Sequence, residues 1–374
     1  MAGVLFVTWD GGGNVPPAVG IAAELARRGH AVRFLGHEQQ RTTLEAAGFG
    51  FTAYEHARAW SSTEPIAGLA AARRFAAMFT DRGTGIDLLA AVERDPPDLV
   101  VIDCMSLGAL QAAQRAGLRR VVLVHTYYQF VARNWSRGPI GLVARLKGQQ
   151  PARLWASAAR VLVATERALD PAGAHALPAS VRYLGVVQAA PLSATPLDER
   201  EPRVLVSLST IYYPGQDAAL QSILDALAGL PLRATVTLGP VDPAGLRPPP
   251  NVTLHRQLPH ADVMPGVRLV IGHGGHATTM RALAHDVPLL VMPMHPMLDQ
   301  KMIGDSVAAH GAARVVTKKA TPEQLRLPIV ELSGPGPHRP AAARLGAGLR
   351  AANGAVRGAD ELEGLLGGTG RGAG

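Results

Sequence analysis

Short apolar runs alternate with helical stretches along most of this chain, and no other feature restricts its fold as strongly. "VLFVT" reads as a buried strand. "PPAVGIAAELARRG" then places Val19, Ala22, Leu25 and Ala26 on one helical face with Gly29 as the stop, and "HAVRFLG" is the next strand. A second unit follows, with "PPDLVVID" as strand, "SLGALQAAQRAG" as helix and "RRVVLVH" as strand. Strands that alternate with helices predict an α/β fold built on parallel, doubly wound sheets. Residues 55–92 and 130–160 read as helical insertions beyond a minimal sheet, able either to shape a pocket or simply to pack.

The pattern stops and restarts. "VVQAAPLSATPLDEREP" at 186–202 is rich in Pro, Ala and acid and has no period, as an interdomain linker would. Beyond it "RVLVSLS", "RATVTLG", "RLVIGHGG" and "PLLVMP" read as strands and "DAALQSILDALAGL" as a helix. With 374 residues, two domains are expected. The boundaries read as 1–187, a linker 188–202, 203–365, and a disordered tail 366–374.

Composition narrows the classes. The chain is 47% hydrophobic and 18% charged, which is globular. No apolar run reaches the roughly 18 residues of a membrane span, and "MAG" leads straight into a strand, so a soluble cytoplasmic protein is expected. The net charge of +8 invites a nucleic-acid reading. Its arginines are scattered, as in "ELARRGH", and aromatic residues are only 5%, which argues against one. Cys104 is the single cysteine, so an internal disulfide and a thiolate cluster are excluded and a small buried side chain is expected.

The segment "GHGGHATTMRALAHDVPLLVMPMHPMLDQ" is the most informative. A strand ends in Gly272–His273–Gly274–Gly275, and Ala277, Thr278 and Thr279 open a helix. Small residues let a ligand approach the backbone, and the first-turn amides with the helix dipole favour a phosphate there. His273 and the two threonine hydroxyls add donors.

Together these residues resemble the donor-binding signature of family 1 glycosyltransferases, enzymes of the GT-B fold that use nucleotide-activated sugars. The matching elements are His273-Gly274-Gly275, Ala277-Thr278, Val287-Pro288 and Asp299-Gln300. "QLPHADVMPGVRLVIGHGG", "RVLVSLST", "RRGHAVRFLG" and "PDLVVID" extend the likeness over about 300 residues. The resemblance implies two Rossmann-like domains facing across a cleft, the first binding acceptor and the second donor. It implies that His273, Gly274, Gly275, Ala277, Thr278 and Thr279 hold the diphosphate and that Leu258 meets the base. Ser209 and Thr210 would line the cleft, and Asp299 and Gln300 would meet sugar hydroxyls. No cofactor is implied beyond a dTDP- or UDP-sugar as co-substrate. With no Asp-x-Asp pair in the chain, a metal-independent reaction is expected. The partners are then small molecules, with no nucleic acid; a homodimer stays open.

Three departures stand out. His260 and Gln257 occupy the base loop where the family has Gln and an aromatic residue. Arg281 replaces the Glu that grips the ribose hydroxyls, which favours a deoxyribose donor. "PMHPMLDQ" is about two residues longer than the family spacing, which displaces the sugar contact.

The N-terminal turn "TWDGGGNVPP" is explained by the same likeness. A dinucleotide loop would need a third glycine where Pro16 stands. In the family the turn lines the acceptor cleft and carries a His or Asp base. Here Asn14 holds that place, and an amide orients a nucleophile but takes no proton. Asp103 matches the family's supporting acid. The open alternatives are Asp103 or Asp10 as base, an acceptor that needs little deprotonation, a shuttle through His125, or a catalytically silent protein that binds a nucleotide-sugar or assists a partner enzyme. The leading expectation is an inverting glycosyltransferase acting on a hydrophobic natural-product aglycone. A sugar-nucleotide epimerase is a third class.

Overall fold

The computed structural model describes residues 1–61, 68–187 and 202–367. They form two compact units. The first contains a seven-stranded sheet whose order is β3 (Gly50–Ala53), β2 (Ala31–Gly36), β1 (Gly3–Val7), β4 (Leu99–Asp103), β5 (Arg120–Val124), β6 (Arg160–Val163), β7 (Val181–Tyr183). The second contains a six-stranded sheet, β10 (Val252–His255), β9 (Arg233–Thr237), β8 (Arg203–Ser207), β11 (Val267–Gly272), β12 (Leu289–Val291), β13 (Ala313–Val315). Every pairing in both sheets is parallel.

The parallel sheets follow from the sequence. β1, β4 and β5 are buried on both faces, and each is a continuous apolar run rather than an alternating one. Helix Val15–Arg27 turns Ala18, Ile21, Ala22 and Leu25 into the core beside Val4, Phe6, Phe34 and Leu99. In the second unit, helix Gln216–Leu227 buries Leu220, Ile223, Leu224 and Leu227 against Val204, Val206 and Val236. Apolar area removed from water at about 25 cal/mol per Å2 is what binds such layers together.

Each sheet reverses its strand order once, at β1/β4 in the first unit and β8/β11 in the second. Ligands of open α/β sheets bind outside the carboxyl ends of the strands at such a reversal. Trp9 and Asp10 follow β1 there, Asp103 ends β4, Ser209 follows β8, and His273 follows β11.

Helix Gly354–Leu366 corrects the expected domain boundary. Residues from Ala352 onward belong with the first unit, although the sequence reading kept 203–365 together. Ala359 and Leu362 join the core around Ile21, and a Cβ on Gly358 would fall 2.8 Å from Ile21 Cγ1. Arg28 bonds Asp360 at 2.7 Å and Glu363 at 2.6 Å, and His30 meets Glu363 at 2.9 Å. Chain order carries no signal for this return. The expected linker 188–202, apart from Pro202, lies outside the described residues, as does the expected tail apart from Leu366 and Gly367.

Candidate active site

In the second unit the turn after β11 is shaped by two glycines. Gly274 has φ +86°, a region natural to glycine, and a Cβ there would sit 2.5 Å from the Gln300 carbonyl oxygen. A Cβ on Gly275 would lie 2.5 Å from His273 Nε2, so the imidazole edge rests on bare backbone. Helix His276–Ala284 begins one residue earlier than the sequence suggests, with Gly275 as its N-cap. Its first intrahelical bond is Thr279 N to the Gly275 carbonyl, 3.0 Å. The amides of residues 276–278 lie ahead of that ladder, no acidic side chain occupies the first turn, and the dipole is positive there.

Two histidines flank this opening. His273 hydrogen-bonds the Ser207 backbone, and burial pushes its pKa down to about 4, so the ring is neutral at pH 7. His260, at the start of the short helix His260–Val263, meets Thr278 Oγ1 at 3.3 Å, and its pKa is pushed down by burial and by the nearby Arg281 charge. Arg281 itself has a buried Nη1 with no hydrogen-bond partner among the described residues. The site is thus rich in donors and poor in carboxylates.

The loops around it are tied together from below. Gln300 is 2% exposed, and its Oε1 accepts from Met294 N at 2.7 Å and His295 N at 3.1 Å. Tyr213, also buried, hydrogen-bonds Ser209 and Gln300 and stands 6.4 Å from the His273 ring and 6.1 Å from the His295 ring. Lys318 Nζ donates to the Met294 carbonyl at 3.1 Å and to the Pro214 carbonyl at 3.0 Å.

The first unit has a different chemistry at its own reversal. Trp9 Nε1 crosses from the end of β1 and donates to Asp103 Oδ1 at 3.0 Å. Met105 N donates to the same oxygen at 2.9 Å. The other oxygen, Oδ2, meets His125 Nδ1 at 2.8 Å. Asn14 is 2% exposed, and its Nδ2 donates to the Trp9 carbonyl at 2.9 Å and to Thr8 Oγ1 at 3.2 Å. The Asn14 Oδ1 is buried and unbonded among the described residues. Trp60 Nε1 donates to the Asp10 carbonyl at 2.6 Å, and Asp10 N donates to His37 Nδ1 at 3.2 Å. All four tryptophans gather here: Trp60 to Trp9 at 6.2 Å, Trp9 to Phe79 at 5.2 Å, Phe79 to Trp135 at 5.5 Å, Trp135 to Trp155 at 6.1 Å.

Comparison with known proteins agrees with both halves. The glycosyl transferase 4-like domain matches residues 12–186, and the erythromycin biosynthesis protein CIII-like C-terminal domain matches residues 222–356. The chain is 28% identical to 4'-demethylrebeccamycin synthase of Lentzea aerocolonigenes, over 98% of this chain and 100% of that protein. It is 25% identical to demethyllactenocin mycarosyltransferase of Streptomyces fradiae, over 98% of this chain and 87% of that protein. The crystal structure of the glycotransferase of kitacinnamycin shares its fold, with a TM-score of 0.81 at 24% identity over 98% of this chain and 99% of that one. The chain is a glycosyltransferase of the GT-B fold, similar along its length to natural-product glycosyltransferases.

Within this glycosyltransferase the expected residues separate clearly. His273, Gly274, Gly275, Ala277, Thr278 and Thr279 are brought together at one helix mouth, with Thr279 itself buried beneath it. Ser209 lies at the end of β8, 7% exposed, with its Oγ accepting from Ile211 N at 2.9 Å; Thr210 beside it is exposed. Leu258 is partly buried just ahead of helix His260–Val263. Asp299 is the N-cap of helix Gln300–Ala309. Gln300, expected at a sugar hydroxyl, instead holds the 294–295 backbone, because its side chain points under the loop. Asn14 and Asp103 are both tied to Trp9, one through its carbonyl and the other through its indole, whereas the Asp10 backbone is held by Trp60 and His37.

Sequence reasoning missed Tyr213 and Lys318 and underrated His125. "STIYYPG" and "TKK" carry no motif, and only the parallel pairing of β4 with β5 puts His125 beside Asp103. Cys104 is fully buried, as expected, with Sγ 4.0 Å from His125 Nδ1. No described helix of this glycosyltransferase is long and apolar enough to cross a membrane.

Proposed function

We propose that the enzyme is an inverting, metal-independent glycosyltransferase that moves a sugar from a nucleoside diphosphate donor to a hydrophobic natural-product aglycone. The second unit binds the donor and the first binds the acceptor. One observation carries the donor assignment: the Gly272–Gly275 turn, the His273 ring and the His276–Ala284 helix mouth converge with no carboxylate in the first turn. Charge that builds on the leaving diphosphate meets backbone donors and a helix dipole, which is stabilisation that needs no divalent cation. His273, Gly274, Gly275, Ala277 and Thr278 take the diphosphate with Thr279 packed beneath them, Leu258 and its neighbours take the base, and Asp299 the sugar.

Arg281 supports a dTDP-sugar over a UDP-sugar, since no ribose acceptor stands in its place. Inversion follows from direct displacement at the anomeric carbon, with the acceptor atom entering opposite the leaving oxygen. Calorimetry with dTDP and UDP tests the donor site, and NMR of the anomeric proton in product made with and without EDTA tests stereochemistry and metal use. Retained anomeric configuration, or activity abolished by EDTA, would refute the corresponding part.

A second reading, a catalytically silent nucleotide-sugar-binding protein that assists a partner enzyme, draws on Asn14. Its side-chain nitrogen is engaged by Trp9 and Thr8, and it has no titratable group. Donor binding without product from any acceptor would favour that reading.

A further inference from the structure

We infer that His125, held by Asp103, is the catalytic base of the acceptor site; this rests on the transferase reading above. The argument begins with the two oxygens of Asp103. Oδ1 accepts from both Trp9 Nε1 and Met105 N, which fixes the carboxylate plane. Oδ2 is thereby aimed at His125 Nδ1, 2.8 Å away. Asp103 is 4% exposed at its side chain and His125 12%, so the pair sits at the floor of the first unit's strand ends with the imidazole nearer the surface. Both residues lie at the carboxyl ends of adjacent strands β4 and β5, next to the β1/β4 reversal where a ligand of such a sheet is expected.

An imidazole that donates from Nδ1 to a carboxylate carries its lone pair on Nε2. That is the state a base needs, and the carboxylate stabilises the imidazolium that forms. The base that the N-terminal turn lacks at Asn14 is supplied from β5 instead. Asn14 then fixes the turn, through the Trp9 carbonyl and Thr8, and leaves proton transfer to His125 just past β5, two strands away in the sheet.

The step balances as follows. The acceptor O–H or N–H atom forms a bond to the anomeric carbon. The bond from that carbon to the β-phosphate oxygen breaks, and its electron pair leaves with the nucleoside diphosphate. The acceptor proton passes to His125 Nε2, and the resulting imidazolium returns it to water after product leaves. Asp103 acts as a positioning residue.

The test uses the full chain in two measurements. In the first, 15N-histidine NMR reads the tautomer, with His125→Gln assigning the signal. Wild type should carry the proton on Nδ1. Asp103→Asn should move it to Nε2, because Trp9 and Met105 keep the amide oxygen on their side and turn its NH2 toward His125. In the second, dTDP-glucose and UDP-glucose are offered with 4-methylumbelliferone and with the more acidic 4-nitrophenol. His125→Gln should lower kcat on 4-methylumbelliferone by roughly 10²–10⁴-fold, and less on 4-nitrophenol, with dTDP affinity unchanged. Asp103→Asn should fall comparably, as a carboxylate–imidazole pair does when its acid becomes an amide, by up to about 10⁴-fold. Turnover by His125→Gln within threefold of wild type, or a wild-type proton on Nε2, overturns the assignment of the base alone. Wild type that yields no glycoside from either donor overturns the transferase reading and the base with it.

Discussion

The carbonyl oxygen of Gln300 lies 2.5 Å from the point where a Cβ on Gly274 would stand. The Gly272–Gly275 turn and the start of helix Gln300–Ala309 are therefore packed backbone to backbone. Gly274→Ala meets both penalties at once, a left-handed φ of +86° and this contact. Backbone strain of this kind costs about 1–3 kcal/mol. Chemical denaturation should show that loss, and calorimetry should show dTDP affinity falling at least tenfold.

Binding of the diphosphate should take up protons. His273 is neutral down to about pH 4 and directs its ring hydrogen to the Ser207 backbone, so a bond to phosphate requires a second N–H. A bound dianion raises the imidazole pKa toward neutrality, the sign opposite to burial. Calorimetry of dTDP in buffers of differing ionisation enthalpy should give a fractional proton uptake near pH 7, with affinity decreasing as pH rises. His273→Gln should abolish the uptake and weaken binding.

Asn14→Ala should act first on stability. It removes the donor to the buried Thr8 Oγ1, while the Trp9 carbonyl keeps Gln40 Nε2 and Gly11 N, and an unsatisfied buried group of this kind costs about 1–3 kcal/mol. Urea titration followed by far-UV circular dichroism checks this; a variant as stable as wild type would remove the anchoring role given to this side chain.

Arg281→Glu should change the choice of nucleotide. Wild type should bind dTDP roughly tenfold more tightly than UDP, a difference of about 1.4 kcal/mol. A carboxylate at 281 offers the ribose 2′-hydroxyl an acceptor and should bring the two affinities together in competition titrations.

Gly358→Val should loosen the first unit despite lying near the chain's end. Its Cβ would be 2.8 Å from Ile21 Cγ1, and overpacking of a core helix costs about 1–3 kcal/mol. Thermal unfolding should show a lowered Tm.

How far the sequence could be read depended on whether a feature was local. β1, β4, β5 and β8 declare themselves because each is an apolar run bounded by turn residues, and the His273 turn because its glycines and threonines are contiguous. β3, β7 and β13 are short and only partly buried, so they carry little pattern of their own. The return of helix Gly354–Leu366 is a matter of which apolar stripe fits which groove, which no local spacing encodes. The same holds for Asp103 and His125. They are 22 residues apart in the chain and hydrogen-bonded only because β4 and β5 are neighbours.

The gathering of Trp9, Trp60, Trp135 and Trp155 has a practical consequence. Every indole in the chain belongs to the first unit and none to the second. Trp9 stacks edgewise on the His125 ring at 6.4 Å and donates to Asp103, so its emission senses the electric field of that pair. Intrinsic indole fluorescence is therefore a built-in reporter of one half alone, able to follow changes in that unit without any label.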